Sequence, residues 1–295
     1  MSLLFAGIEK NQRFFVVSFG PSYNGSTQGW GSCSGSPILP GPKLTIAIPR
    51  VVRVRFSAAR VLMTHLLKKF EDFLQSIDLN AYRQKYRPIM IVEMDLPKEV
   101  QAIAMLYKIY WDEKRFLTFE DFYREYYDKL GSNIRKFQRK TGMCRKCFSK
   151  GLPARIYRTW ASIITQIHAG YVAESVFGNG SVAMSDELDH KGADFQVRYR
   201  DKILNYQIKK KSLSREVRQE KPKSKSPLAG EFVDLRYEVP SSDYFENPKK
   251  NNGEYKLPYQ RFQSNKELKR FPNGFVIFTP YAFQQKKKEM DVALK

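Results

Sequence analysis

The chain has 295 residues, 14% of them aromatic, and carries 51 Lys and Arg against 30 Asp and Glu, a formal net charge of +21. An excess of this size attracts a polyanion and releases its counterions, so nucleic acid leads the partners to be expected, with an anionic membrane surface behind it. No run of about 18 apolar residues offers a membrane-spanning helix, the start Met1 to Lys10 lacks the charged and apolar regions of a secretory signal, and three cysteines form no disulfide framework, which favours a reducing cytoplasm.

In chain order, residues 1–55 stand apart. Tyr23 to Gly41 is dominated by Gly, Ser and Pro, and Glu9 is the only acid before Glu71. Such a stretch buries little, and a flexible or poorly ordered extension is expected. Met63 leaves open that the segment before it comes from a wrongly assigned start. From Ser57 to Ile77, Val61, Leu62, Leu66, Phe70, Phe73, Leu74 and Ile77 fall at helical spacing. A second helix is expected from Pro97, carrying Val100, Ile103, Leu106, Tyr107 and Tyr110, with the proline in its first turn. A third starts at Thr118, whose hydroxyl can cap it with Asp121 three residues on, and repeats Phe122, Tyr126 and Leu130.

Asn133 to Lys150 is strongly basic, with Phe137 and Phe148 interleaved. Arg135, Lys136, Arg139 and Lys140 suit backbone phosphates, contacts that give affinity without sequence information. Within it Cys144 and Cys147 form a lone CxxC. A structural zinc needs four ligands, and Cys33, His65, His168 and His190 are not suitably spaced to complete the set, so two reduced thiols are expected. Pro153 to Phe177 reads as a long helix that delivers Glu174 to the sheet.

The informative stretch is Gly192 to Lys210. Ala193, Phe195, Val197 and Tyr199 alternate with Asp194, Gln196, Arg198 and Arg200, and after a short polar turn Leu204, Tyr206 and Ile208 alternate with Asn205, Gln207 and Lys209. Period-2 alternation on both sides of a turn predicts an antiparallel hairpin with one buried face. It sets an acid, a second oxygen ligand and a lysine on neighbouring strands, a combination able to hold a hard cation and polarise a phosphate. Lys209 to Lys225 continues as a basic run that includes Lys210, Lys211 and Arg215, read as a loop over a groove of DNA. Phe232 to Val239 is a candidate strand and Ser241 to Tyr255 a loop. Ser264 can cap a helix reaching Arg270, Gly274 to Pro280 suits a buried strand, and the end is an exposed helical tail.

Asp194 followed by Gln207-Ile208-Lys209 resembles the signature of the PD-(D/E)XK nucleases, and most of all a type II restriction endonuclease. Ala193 stands where the pattern has proline, and Gln207 replaces the second carboxylate. The resemblance implies a mixed α/β fold, a restriction-endonuclease-like αβββαβ core at residues 151–295, preceded by a helical, basic DNA-binding region at 56–150. It implies a magnesium site formed by Glu174, Asp194, Gln207 and the backbone carbonyl of Ile208, with Lys209 orienting the attacking water or stabilising developing charge. Asp189 is a second candidate acid. It further implies double-stranded DNA as substrate, a homodimer that cuts both strands, and a cognate DNA methyltransferase on a separate chain. A junction-resolving or repair nuclease of the same fold, and a basic nucleic-acid-binding protein without catalysis, are the alternatives. No Walker loop, dinucleotide fingerprint, nucleophile elbow or zinc-protease helix occurs.

Overall fold

A computed structural model describes residues 50–87, 96–211, 228–238, 240–241 and 243–292, all within a compact unit spanning Ile48–Lys295. Of the expected extension at 1–55, residues 1–49 lie outside the described residues, as do Arg215 and most of the basic run after the hairpin, while 50–55 are already helical. The architecture is mixed α/β. Its axis is α5 (Arg145–Phe177), with apolar residues all round it, as a helix buried on every side requires. Along it pack α1 (Arg50–Ser76), α3 (Ile103–Leu106) and α4 (Phe119–Thr141), together with strands β1 (Val182–Ala183) and β2 (Phe195–Tyr199) and the last helix, α9 (Tyr281–Val292).

On α1 and just past its end, Met63, Phe70, Leu74 and Ile77 are buried at helical spacing, and Phe70 meets Tyr171 of α5 edge to face. Asn273 donates its amide to the carbonyls of Leu74 and Ile77, closing the C-terminal end of α1 from far along the chain. Thr118 caps α4 as expected, accepting from the Asp121 N–H at 3.2 Å.

The helix expected from Pro97 is divided instead. A 3-10 turn at Lys98–Val100 is followed by extended Gln101, α3, and a π-helical turn at Tyr107–Asp112. The cause is competition for carbonyls: Tyr126 takes that of Val100 at 2.7 Å, and the Gln101 side chain takes that of Leu96 at 3.0 Å. The long helix starts earlier than Pro153, because the Cys144 sulfur accepts from the Cys147 N–H and caps it at residue 145.

The main sheet has order β1-β2-β3-β4, with β3 (Lys202–Lys211) antiparallel to β2 and parallel to β4 (Glu231–Glu238). The hairpin forms as its alternation predicts, turning through Arg200 and Asp201 with Arg200 at φ 54°. Phe195, Val197, Leu204 and Tyr206 are fully buried. The opposite face is also covered, since Gln196 and Asn205 are buried and hydrogen bonded at 2.9 Å. Gly230, at φ 107°, precedes β4 where a Cβ would lie 2.5 Å from the Ile203 carbonyl oxygen, so only glycine lets β4 approach β3 there.

Ser264 ends a helix rather than starting one. It closes α8 (Leu257–Ser264), whose Pro258 lies in the first turn, and bonds back to the Arg261 carbonyl. The residues after it form β5 (Leu268–Arg270), which pairs with β6 (Val276–Phe278) in a separate two-stranded sheet. The expected buried strand therefore exists, but outside the main sheet. No described helix is long and apolar enough to cross a membrane.

Candidate active site

The site is built where α6 (Asp186–His190) hands the chain to β2. Ser185 caps α6 through the Leu188 N–H. At the other end the Gly192 N–H bonds the Asp189 carbonyl at 3.0 Å and the Ala193 N–H bonds the Leu188 carbonyl at 2.9 Å. These two bonds, with Gly192 at φ 87°, make a Schellman turn. The turn explains Ala193: proline has no N–H to give the Leu188 carbonyl. It also brings the side chains of Asp189 and Asp194 near enough for each to act on the other's titration.

The buried carboxylate of Asp194 is held on each oxygen. Oδ1 accepts from the Gln166 amide of α5 at 2.8 Å and Oδ2 from the Ile208 N–H of β3. Gln166 accepts in turn from the Tyr107 hydroxyl at 3.3 Å, which fixes which end of its amide faces the acid. Burial, and after it the charge of Asp189, push the Asp194 carboxyl up to about 7, against the opposing pull of the Ile208 N–H and the Lys209 ammonium. Burial also raises Asp189. Burial and a like-charged neighbour both disfavour the ionised form, so the two acids favour a shared proton or a bound cation.

Lys209 lies close enough to act electrostatically on Asp194 and forms an ion pair with Asp234 Oδ2 at 2.9 Å. The register aligns Gln207 with Asp234 and Lys209 with Arg236, placing all four on one face of the β3–β4 pair. Arg236 reaches the same Asp234 oxygen at 3.4 Å.

Glu174 has other partners. Its carboxylate accepts from the Gly180 N–H at 2.6 Å, and the charge acting on it is that of Lys114, which lies 3.9 Å from the Trp111 ring centre. Burial raises Glu174 and lowers Lys114. The acid that acts on Asp194 is Asp189, and the side chain that α5 sends to Asp194 is Gln166, eight residues before Glu174. Among the predicted DNA contacts, Arg135, Lys136, Arg139 and Lys140 lie on the last turns of α4, and Lys210 and Lys211 end β3.

Among the described residues no group of three or more His, Cys, Asp or Glu converges as a metal cage. The acidic oxygen donors here are the carboxylates of Asp189 and Asp194, and such donors suit a hard cation which keeps part of its water shell. Cys144 and Cys147 are exposed thiols.

A mixed sheet backed by a buried helix, with paired acids beside a strand lysine on a highly basic chain, defines a restriction-endonuclease-like α/β protein. Residues 67–288 match the TaqI restriction endonuclease family, and the chain belongs to that family. It is 33% identical over 220 residues to the type II restriction enzyme TthHB8I of Thermus thermophilus and 34% identical over 225 residues to the type II restriction enzyme TaqI of Thermus aquaticus. Each alignment covers 72% of this chain and 83% of the relative. No solved structure matches the chain.

Proposed function

We propose that the protein is a magnesium-dependent type II restriction endonuclease that hydrolyses both strands of duplex DNA at a specific sequence, acting as a homodimer and paired with a separate methyltransferase. The observation that carries this reading is the nearness of Asp189 to Asp194 beside Lys209, on a chain whose relatives are restriction enzymes.

Asp189 and Asp194 would hold the ion, with the amide oxygen of Gln207 and the Ile208 carbonyl as neutral donors. Asp189 thereby takes the place expected of Glu174. Magnesium fits because it binds through one or two carboxylates and retains waters and substrate phosphate. A divalent ion supplies Lewis-acid chemistry, making water nucleophilic near neutral pH and offsetting charge on the phosphate. Lys209, held beside Asp234, positions the attacking water or meets the charge that develops on the phosphate oxygens. Gln166 and Tyr107 orient the Asp194 carboxylate, and Asp234 and Arg236 fix the direction of the Lys209 ammonium. Arg135, Lys136, Arg139 and Lys140, with Lys210, Lys211 and Arg215, would bind the DNA backbone.

Incubation of plasmid with protein and magnesium, with the ends of the products mapped, tests the reading. Discrete fragments with a shared end sequence are expected. A smear, or preferential cutting of branched DNA, would contradict it.

A further inference from the structure

Away from the paired acids, α4 and the first turns of α5 enclose a cleft of about 960 Å³, the size of a small-molecule pocket, about 300–1,000 Å³. On α4 the residues Tyr123, Tyr127, Arg135 and Arg139 recur at helical spacing and line one wall. Buried Gly131 lies between Tyr127 and Arg135, and the Arg135 guanidinium sits 3.4 Å from where a Cβ on Gly131 would be. The α5 wall is Arg145, Phe148, Ser149, Leu152 and Pro153.

Three features of this lining point to one ligand chemistry. It contains three arginines and no acid, and none of the three has an ion pair among the described residues. Its interior is apolar and aromatic: Phe148 and Leu152 are buried, Tyr123 is half-buried, and Tyr127 is 41% exposed. Pro153 lacks the N–H that would bond the Ser149 carbonyl within the helix, which leaves an acceptor in the cleft wall. Phosphate alone would satisfy the arginines and leave the aromatic wall unused. A paired base is stacked inside its duplex and cannot enter.

We propose that the α4–α5 cleft extends the backbone-binding surface of Arg135 and Arg139 into a pocket, which takes a nucleotide whose base is not stacked in a duplex. Its phosphate lies among Arg135, Arg139 and Arg145, and its base lies against Tyr123 and Tyr127. Leu152 precedes Gln166 by about 20 Å of helix rise along α5, so the cleft is distinct from the paired acids. The inference rests on the nuclease reading only for its choice of ligand.

The test is binding by the full chain in EDTA, read by anisotropy of a labelled single strand and of the blunt duplex containing it. Tyr127→Ala is expected to weaken single-strand binding about 5- to 100-fold, the effect of losing one stacked base, with duplex binding changed far less and Tyr127→Phe near wild type. Joint replacement of Arg135, Arg139 and Arg145 by Ala should flatten the salt dependence for the single strand by about 2 in log–log slope. Competition by thymidine monophosphate but not by equal inorganic phosphate would show that a free nucleotide suffices; competition by neither, with the Tyr127 effect intact, would assign the site to a nucleotide within a strand. Single-strand binding unchanged by Tyr127→Ala, equal loss for strand and duplex, or no DNA binding would overturn the inference. Plasmid cleavage with magnesium is scored separately, so a silent cleft in a cleaving enzyme counts against this site alone, and a working cleft in an inactive protein counts against the nuclease reading alone.

Discussion

Asp189 and Asp194 lie on either side of a Schellman turn, and after burial the charge of Asp189 helps to raise the Asp194 carboxyl. The consequences extend to stability, because Asp194 is pushed from its ordinary value of 3.8 up to about 7 chiefly by burial.

A folded-state value raised above the unfolded one means that the native protein binds the extra proton. Its contribution is full below about pH 4 and is lost as pH rises through about 7. The loss is at most about 4 kcal/mol. Urea unfolding without metal should therefore show Asp194→Asn gaining stability over wild type at pH 8 and not at pH 4. Magnesium should stabilise the wild type more at pH 8 than at pH 6, since the proton competes with it.

Gly192 holds the turn that aligns the acids. At φ 87°, alanine is expected to cost about 1 kcal/mol. The displaced Asp189 should lower cleavage about a hundredfold or more, because small misplacements of reacting groups are expensive. Ala193→Pro should act in the same direction by removing the bond to the Leu188 carbonyl. Thermal melting and single-turnover cleavage check both variants.

Much of this was legible in the sequence. The alternation around Arg200 predicts the hairpin because one strand face is packed in the core, and Thr118 predicts its own cap. Glu174 meets Gly180 and Lys114 for a physical reason: position on the right helix does not decide which turn of it faces the acid, and a polar residue within an apolar helix, Gln166, was the sign of the turn that does. Asp234 was hidden because parallel pairing of β4 with β3 is a long-range property that no local spacing reveals. The helices expected at Pro97 and Ser264 failed because distant side chains, or an earlier proline, settled the local hydrogen bonds.

Glu174 and Gln166 are separated by one comparison. Glu174→Gln keeps an acceptor for the Gly180 N–H and should leave cleavage within about tenfold of wild type, whereas Gln166→Ala should lower it by about 10- to 100-fold, as for residues that orient a metal ligand. Cleavage rates measured over a magnesium series should also show a raised magnesium requirement for Gln166→Ala alone.

Gly230→Ala tests the alignment of Gln207 with Asp234. With a Cβ 2.5 Å from backbone oxygen and φ at 107°, it should cost about 2 kcal/mol or more. Hydrogen exchange should quicken along β4 before the rest of the sheet.

The most direct measurement is single-turnover cleavage of plasmid by wild type, Asp189→Asn, Asp194→Asn and Lys209→Ala with magnesium, alongside DNA binding by each. The account predicts retained binding with cleavage reduced at least about a hundredfold in all three variants. Cleavage by Asp189→Asn at the wild-type rate, with Glu174→Gln inactive, would contradict it.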